Sequence, residues 1–355
     1  MIPLPPQPEG VPWPTNEWPQ GPVPASIAAE VEDLLDQVCD DAGPMATTFA
    51  VVVIHRGTLV AERYHGQLEH FDRPPDPVTA QTRLLSWSMA KSMLQAAIGI
   101  LVGEGTLDLN APAGVPEWSA ADDPRRAVTL RHLLAMRDGL DWVEDYVDDT
   151  VSDVITMLFG QGQPDMAHFA ADRPLAAVPG ERFNYSSGTT NILSAVVARV
   201  VGSGEPYGDF LRERLFGPIG MTSAEPEFDA AGTWVASSYL RTTARDFARF
   251  GTLYLRDGMW DGQRILPEGW VDYARTMESD DPIDGPYGAH WWGVAGDNLG
   301  TFRAAGYDGQ SITICPALDL VLVRLGKTPV EHQPDLTAWR AATVRAFARA
   351  AGLSG

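Results

Sequence analysis

The sequence predicts an antiparallel β-sheet flanked by helices and built from both ends of the chain, with a mainly helical domain inserted between its halves. Three observations carry this. Apolar, β-branched runs of strand length lie near residues 47–65 and again after residue 284. From about residue 128 to 277, helical spacing of apolar residues dominates, broken by loops rich in Gly, Pro and Asp. A last helical stretch, 335–351, carries Leu336, Trp339, Val344 and Phe347 on its apolar face. Strands at both ends and helices between them imply one sheet assembled from the two termini. The expected divisions are an N-terminal arm over 1–25, an α/β domain formed by 26–82 with 285–355, and a mainly helical domain over 83–284.

Nine of the 28 prolines fall in the first 24 residues. This arm is expected to be extended, and either to drape over the body or to stay loose. It has no basic n-region and no apolar h-region, so it does not read as a secretory leader. A helix follows over 27–38, with Ile27, Val31, Leu34, Leu35 and Val38 at helical spacing. TTFAVVVIHRGTLVAERYHG then reads as a hairpin turning at His55-Arg56-Gly57. After the Pro-rich loop FDRPPDP the pattern is helical over 84–104, ending at Gly103 or Gly105. TLRHLLAMRDGL, TTNILSAVVARVV, TTARDFARFGTLYLRDG and PEGWVDYARTM are helical patterns of the inserted region. AHWWGVA, GTFRAAG, GQSITICP and LDLVLVRLG are the strands that return to the sheet.

Composition removes several classes of function. The net charge of −21 repels phosphate backbones, so no nucleic-acid partner is expected. The acidic runs at 30–41, 141–149 and 278–284 read as solvated faces. No apolar stretch is long enough to span a bilayer, so no membrane partner is expected and the chain is expected to be soluble and cytoplasmic. Cys39 and Cys315 lie far apart and read as free thiols. Neither HExxH nor CxxC occurs, so no metal and no other cofactor is expected.

The chemistry begins at Ser88-Met89-Ala90-Lys91, which puts a hydroxyl three residues before a lysine. Only two of the 26 basic side chains are lysines, Lys91 and Lys327. Arginine keeps its proton, whereas a buried lysine can lose one near neutral pH. A composition that otherwise uses arginine has kept a lysine in a helix that is apolar nearly all round. Residues i and i+3 share a helix face, so the Lys91 amine can reach the Ser88 hydroxyl. A helix N-terminus at Ser88 would favour negative charge developing there. No GxSxG elbow is present, and the seven histidines sit in no evident catalytic pattern. A structural role is favoured for His290.

Two further motifs follow in order, Tyr185-Ser186-Ser187 within PGERFNYSSG and Tyr307-Asp308-Gly309 within AAGYDGQSITICP. Singly, YSSG reads as a helix cap and GYDGQ as a hairpin turn. With the SxxK they resemble the serine β-lactamase and penicillin-binding-protein superfamily. The pattern is most similar to class C β-lactamase-like hydrolases, and among these to 6-aminohexanoate-dimer hydrolase and esterase-like members. The resemblance covers roughly residues 27–352 and implies a β-lactamase/transpeptidase-like fold. It implies that Ser88 is acylated by a carbonyl substrate and that Lys91 and Tyr185 share its proton, the ammonium making the phenol easier to ionise. It also implies that Ser187 faces the leaving group, and that the N–H groups of Ser88 and Gln310 hold the oxyanion.

The sequence departs from the antibiotic-hydrolysing members at the third motif, where Tyr307-Asp308-Gly309 replaces Lys-Thr-Gly. In those enzymes the basic residue helps to bind the substrate carboxylate. Asp308 and Gly309 are thus candidate substrate-binding residues of a different kind. Small esters or amides without a carboxylate become the expected substrates. Lys327-Thr328 reads as a loop. The acidic loop DWVEDYVDD is expected to close over the site, with Tyr146 as a substrate contact. The alternatives are a β-lactamase or D-amino-acid peptidase, and a non-catalytic ligand-binding relative.

Overall fold

The computed structural model describes residues 1–70 and 72–353. Thr47–His55 (β1) and Thr58–Tyr64 (β2) form the expected hairpin. Its turn is Arg56-Gly57, with φ of 50° and 75°. Two positive φ values are what a two-residue turn needs to match the twist of its strands. The remaining strands of the main sheet come from the other end of the chain. They are Ser279–Asp281 (β3), Gly285–Tyr287 (β4), Trp292–Gly293 (β5), Phe302–Gly306 (β6), Gln310–Cys315 (β7) and Leu320–Lys327 (β8). The eight strands run in the order β3-β4-β5-β6-β7-β8-β1-β2, every neighbouring pair antiparallel. The last strand of the chain therefore joins the first, through eight paired positions from Thr47–Lys327 to His55–Leu320.

Side chains alternate across this sheet, so each strand feeds two cores. Val52, Ile54, Ile312, Ile314, Val321 and Val323 enter a large core shared with the helical region. Val51, Val53, Leu320 and Leu322 enter a second, with Val31 and Leu35 of Ala28–Val38 (α1) and with Leu336, Trp339 and Phe347 of the C-terminal helix. β1, buried on both faces over 48–54, reads as a continuous apolar run for that reason.

Among the described residues, the α-helices between β2 and the C-terminal helix are Met89–Gly103 (α2), Leu130–Leu134 (α3), Asp153–Phe159 (α4), Met166–Ala171 (α5), Ser187–Val201 (α6), Glu205–Leu211 (α7), Ala244–Leu255 (α8) and Trp270–Ala274 (α9). The C-terminal helix is Gln333–Ala350 (α10). α2 is buried at every residue from Met89 to Leu101, as its all-round apolar sequence requires. It starts later than its pattern suggests, because Leu84–Leu85 pair with Leu240–Thr242 as a short strand. AHWWGVA gives only the two residues of β5, since His290 turns the backbone to φ 58° just before it. The polar strand β3 carries no apolar alternation and was not legible as a strand.

The N-terminal arm drapes over the body. Trp18 is buried in the large core, and Trp13 packs on Trp260 at 5.2 Å between ring centroids. Arg249, buried on α8, donates to the carbonyls of Pro14 at 2.7 Å and Asn16 at 3.0 Å. Arg256 reaches the side chain of Gln7 at 2.9 Å. Buried arginines thus satisfy arm carbonyls of Pro5, Pro14 and Asn16.

Candidate active site

Ser88 stands at the N-cap of α2 (φ −63°, ψ −7°). The residue before it, Trp87, is held at φ 46°. An aromatic residue in the left-handed region is a genuine outlier, and such strain gathers at functional sites. The segment 237–242 fixes this turn. Ser86 N donates to the Leu240 carbonyl at 2.8 Å, and Ser86 Oγ donates to the Ser238 carbonyl at 3.2 Å.

One turn into α2, Lys91 is buried, and its amine makes three hydrogen bonds. Nζ donates to Ser88 Oγ at 3.0 Å, to Ser187 Oγ at 3.0 Å and to the carbonyl of Ser237 at 2.9 Å. All three ammonium donors are thereby used. Burial pulls the Lys91 pKa from 10.5 down to about 8, against an opposing pull from Glu144.

The second motif is split by a helix start. Ser186 is the N-cap of α6, its Oγ accepting from Thr189 N at 2.9 Å. Its neighbours are thereby left to face α2. Tyr185 lies with its ring centroid 5.0 Å from Lys91 Nζ. Tyr287 and Trp292 pack on the Tyr185 ring, at 6.0 and 5.4 Å between centroids. The phenol is not easier to ionise, as the neighbouring ammonium alone would make it. Burial first, and the charge of Glu144 second, hold its pKa above the ordinary tyrosine value, while Ser88 pulls it down.

Glu144 belongs to the acidic loop and was not among the expected residues. Its carboxylate accepts from Ser187 N at 2.9 Å, Ser187 Oγ at 2.5 Å, Trp142 Nε1 at 2.6 Å and Tyr146 OH at 2.7 Å. The run DWVEDY pointed to the loop, but nothing in the pattern separated Glu144 from its acidic neighbours. Ser237, which acts through its carbonyl, left no sequence signal at all.

Tyr307 continues β6 into a tight turn. Its ring lies 5.3 Å from that of Tyr146 and 5.6 Å from that of Trp87. These three aromatics, with Ser88, Ser238, Val154, Ile155, Leu158 and Phe159, line a cavity of about 250 Å³. None of the lining residues is charged. Asp308 and Gly309 lie behind Tyr307 and do not line the cavity. The Asp308 carbonyl accepts from Arg324 Nη1 and Thr328 N, both at 3.0 Å. Gly309 is held at φ 79°, and a Cβ there would lie 2.3 Å from Leu336 of α10, so a side chain would be strained and would have to displace Leu336. Gln310 is buried at the start of β7. Gly306, its partner across the ladder, would place a Cβ 2.6 Å from the Ser86 carbonyl, so this strand end abuts the entry to α2.

His290 lies outside the cluster. It is buried, its Nδ1 against the Leu134 carbonyl at 2.8 Å and its Nε2 against Thr190 Oγ1 at 3.2 Å. Lys327 ends β8, and the buried Thr328 donates to the Met45 carbonyl at 2.6 Å, so this pair closes a strand and stays away from the cavity.

This arrangement, a serine at a helix start with a lysine one turn on and a tyrosine from a second helix start, agrees with the family that the sequence matches. The chain matches the Beta-lactamase family over residues 42–347 and belongs to it; it is a hydrolase of the β-lactamase fold. Among characterised relatives, it is 28% identical over 338 residues to 6-aminohexanoate-dimer hydrolase of Paenarthrobacter ureafaciens, covering 89% of this chain and 79% of that protein. Among solved structures it resembles a family VIII carboxylesterase, with a TM-score of 0.70 and 17% identity over 92% of this chain and 99% of the other. The octameric penicillin-binding protein homologue from Pyrococcus abyssi shares the fold at a TM-score of 0.67 and 19% identity, over 89% and 77% of the two chains. Among the described residues, no helix is long and apolar enough to cross a membrane.

Proposed function

We propose that the chain is a serine hydrolase that cleaves small ester or amide substrates through an acyl-enzyme on Ser88. One observation carries the reading. The buried Lys91 amine, with its pKa brought down to about 8, lies 3.0 Å from Ser88 Oγ. Roughly one molecule in ten then holds this amine neutral at pH 7, enough to supply a base at each turnover.

In the proposed cycle, neutral Lys91 takes the proton of Ser88 Oγ, which attacks the substrate carbonyl. The oxyanion is met by the N–H groups of Ser88 and Gln310. As the tetrahedral intermediate collapses, the Lys91 ammonium returns its proton to the leaving oxygen or nitrogen, with the Tyr185 phenol relaying it. Lys91 then takes a proton from water, hydroxide attacks the acyl ester, and Ser88 Oγ leaves and is reprotonated. Glu144 steadies the ammonium that forms after each proton transfer. Tyr146 and Tyr307 form the mouth through which substrate reaches Ser88.

The uncharged cavity supports a substrate that carries no carboxylate at this position. Similarity to a 6-aminohexanoate-dimer hydrolase supports an amide as well as an ester. A panel of short-chain nitrophenyl esters, linear amide oligomers and nitrocefin tests the reading. Turnover of esters or amides that disappears in Ser88→Ala is expected, with nitrocefin left intact. A Ser88→Ala protein as active as wild type would remove the nucleophile. Preferential hydrolysis of nitrocefin would turn the assignment toward a β-lactamase.

A further inference from the structure

A second cavity, of about 300 Å³, lies on the other face of the sheet, between the strands β6 and β7 and the helix α10. It shares no lining residue with the cavity at Ser88. Three guanidinium groups line it, Arg303 from β6 and Arg340 and Arg345 from α10. In a chain of net charge −21, three adjacent arginines would be expected to hold carboxylates. Among the described residues none of the three forms an ion pair. Arg303 Nη2 donates only weakly to the Asp284 carbonyl, at 3.4 Å, and Arg340 Nη2 donates to Thr337 Oγ1 at 3.0 Å. Burial, then repulsion from Arg303 and Arg324, pushes the Arg340 pKa down, as expected of a cation without a counter-ion.

The floor is also unsatisfied. Thr301 and Thr313 are 8% and 5% exposed, and their hydroxyls have no hydrogen-bond partner, nor has Arg303 Nε. Buried polar groups are normally paired, so several orphans around one cavity mark a place built for a polar guest. Asp297 also lines the cavity; its Oδ2 accepts from Thr301 N at 2.5 Å, and among the described residues it forms no ion pair with the three arginines. The remaining wall is mostly apolar, with Leu299, Ala341 and Val344 among its residues and Asn298 and Thr337 as its polar members. At roughly 30 Å³ per non-hydrogen group, the share of one water in the liquid, about ten such groups fit.

We propose that this cavity binds a small amphipathic monocarboxylate, its carboxyl group held by Arg303 and Arg340 and its unbranched apolar chain lying against Leu299, Ala341 and Val344. The planar guanidinium fork suits a carboxylate, and the apolar wall excludes a fully hydrated anion. The chemistry specifies both ends of the ligand. A bare anion leaves the wall uncovered, and an uncharged chain leaves the arginines and the two threonines unpaired.

Isothermal titration of the full-length protein with sodium octanoate tests this, with 1-octanol and inorganic phosphate as the single-feature controls. One saturable site per chain with a Kd below about 1 mM is expected, with each control at least about tenfold weaker, the scale of one lost charged hydrogen bond. Arg340→Met is expected to weaken octanoate by about 10- to 100-fold on the same scale. Ala341→Phe, which fills the apolar end and leaves the arginines in place, is expected to do the same and decides the matter should Arg340→Met fail to fold. Both are expected to leave the rate of ester hydrolysis unchanged. Covalent labelling of Ser88 by a fluorophosphonate is expected to leave octanoate binding intact. The proposal is overturned by no saturable binding up to about 5 mM, roughly the weak end of specific affinity. Equal binding of octanol or phosphate, binding retained in a folded variant, or loss of binding on Ser88 labelling would also overturn it.

Discussion

The carboxylate of Glu144 accepts both the backbone N–H and the hydroxyl proton of Ser187, at 2.9 and 2.5 Å. A hydroxyl has one proton, so Ser187 turns only lone pairs toward Lys91 Nζ, 3.0 Å away. Glu144 therefore orients Ser187 as an acceptor, and its charge favours the ammonium form of Lys91.

The sign of that charge effect can be measured. In the proposed cycle the base must be neutral, so kcat/KM is expected to rise with pH and to level off above the Lys91 pKa of about 8. Glu144→Gln removes the influence that raises this pKa. The rising limb is expected to move to lower pH in this variant, even as the maximal rate falls through loss of Ser187 and Tyr146 positioning. A limb that stays in place would separate Glu144 from Lys91 electrostatically.

Lys91→Arg keeps the charge and much of the size but cannot give up its proton. It is expected to fold and to lose about 10²–10⁴-fold in ester hydrolysis, the usual scale for a general base. Turnover assays paired with thermal unfolding check this. A folded variant with more than about half the wild-type rate would end the case for Lys91 as the base.

Most of the scaffold and the centre of the site were legible because they rest on local patterns. The β1–β2 hairpin followed from Arg56-Gly57 between β-branched runs. Ser88 and Lys91 followed from a three-residue spacing in an apolar helix. Glu144 was not legible, because a carboxylate one methylene longer than those of Asp141, Asp145 and Asp148 carries no signal of where the loop will place it. The same holds for the Ser237 carbonyl, which any residue could supply. The expectation for Tyr185 had the wrong direction because sequence shows a neighbouring lysine but neither the depth of burial nor the carboxylate nearby. Asp308 was placed by motif order alone, and it was the turn at Gly309 that left Tyr307 facing the cavity.

His290 gives a stability prediction. Burial lowers its pKa from 6.5 to about 3, so it stays neutral in the fold while the unfolded chain takes up a proton below pH 6.5. The unfolded state then binds more protons between these values, and stability falls as pH drops from 6.5 toward 3, by up to about 1.4 kcal/mol per pH unit. Asn tolerates the φ of 58° at this position. His290→Asn is expected to be less stable at pH 7 but to lose less on acidification to pH 5. Urea unfolding of both proteins at the two pH values measures this, and equal slopes would contradict it.

Arg249 ties the N-terminal arm to α8 and pairs with Asp246 at 2.5 Å, both side chains being buried. Removing one partner of a buried pair leaves an uncompensated charge. Arg249→Ala is expected to destabilise the protein by about 3–5 kcal/mol in urea unfolding. It is also expected to expose the arm to proteolysis near Trp13 and Trp18. A loss under about 1 kcal/mol, the scale of an exposed pair, would mean that the arm contributes little.

The central claim is that Ser88 is the nucleophile, and its most direct test is the site of covalent labelling. The protein is treated with a fluorophosphonate, digested and mapped by mass spectrometry, in parallel with a sample quenched during turnover of a nitrophenyl ester. A single adduct on the peptide containing Ser88 is expected in both, and none in Ser88→Ala. An adduct on Ser186, Ser187 or Ser311, or labelling that persists in Ser88→Ala, would contradict the account.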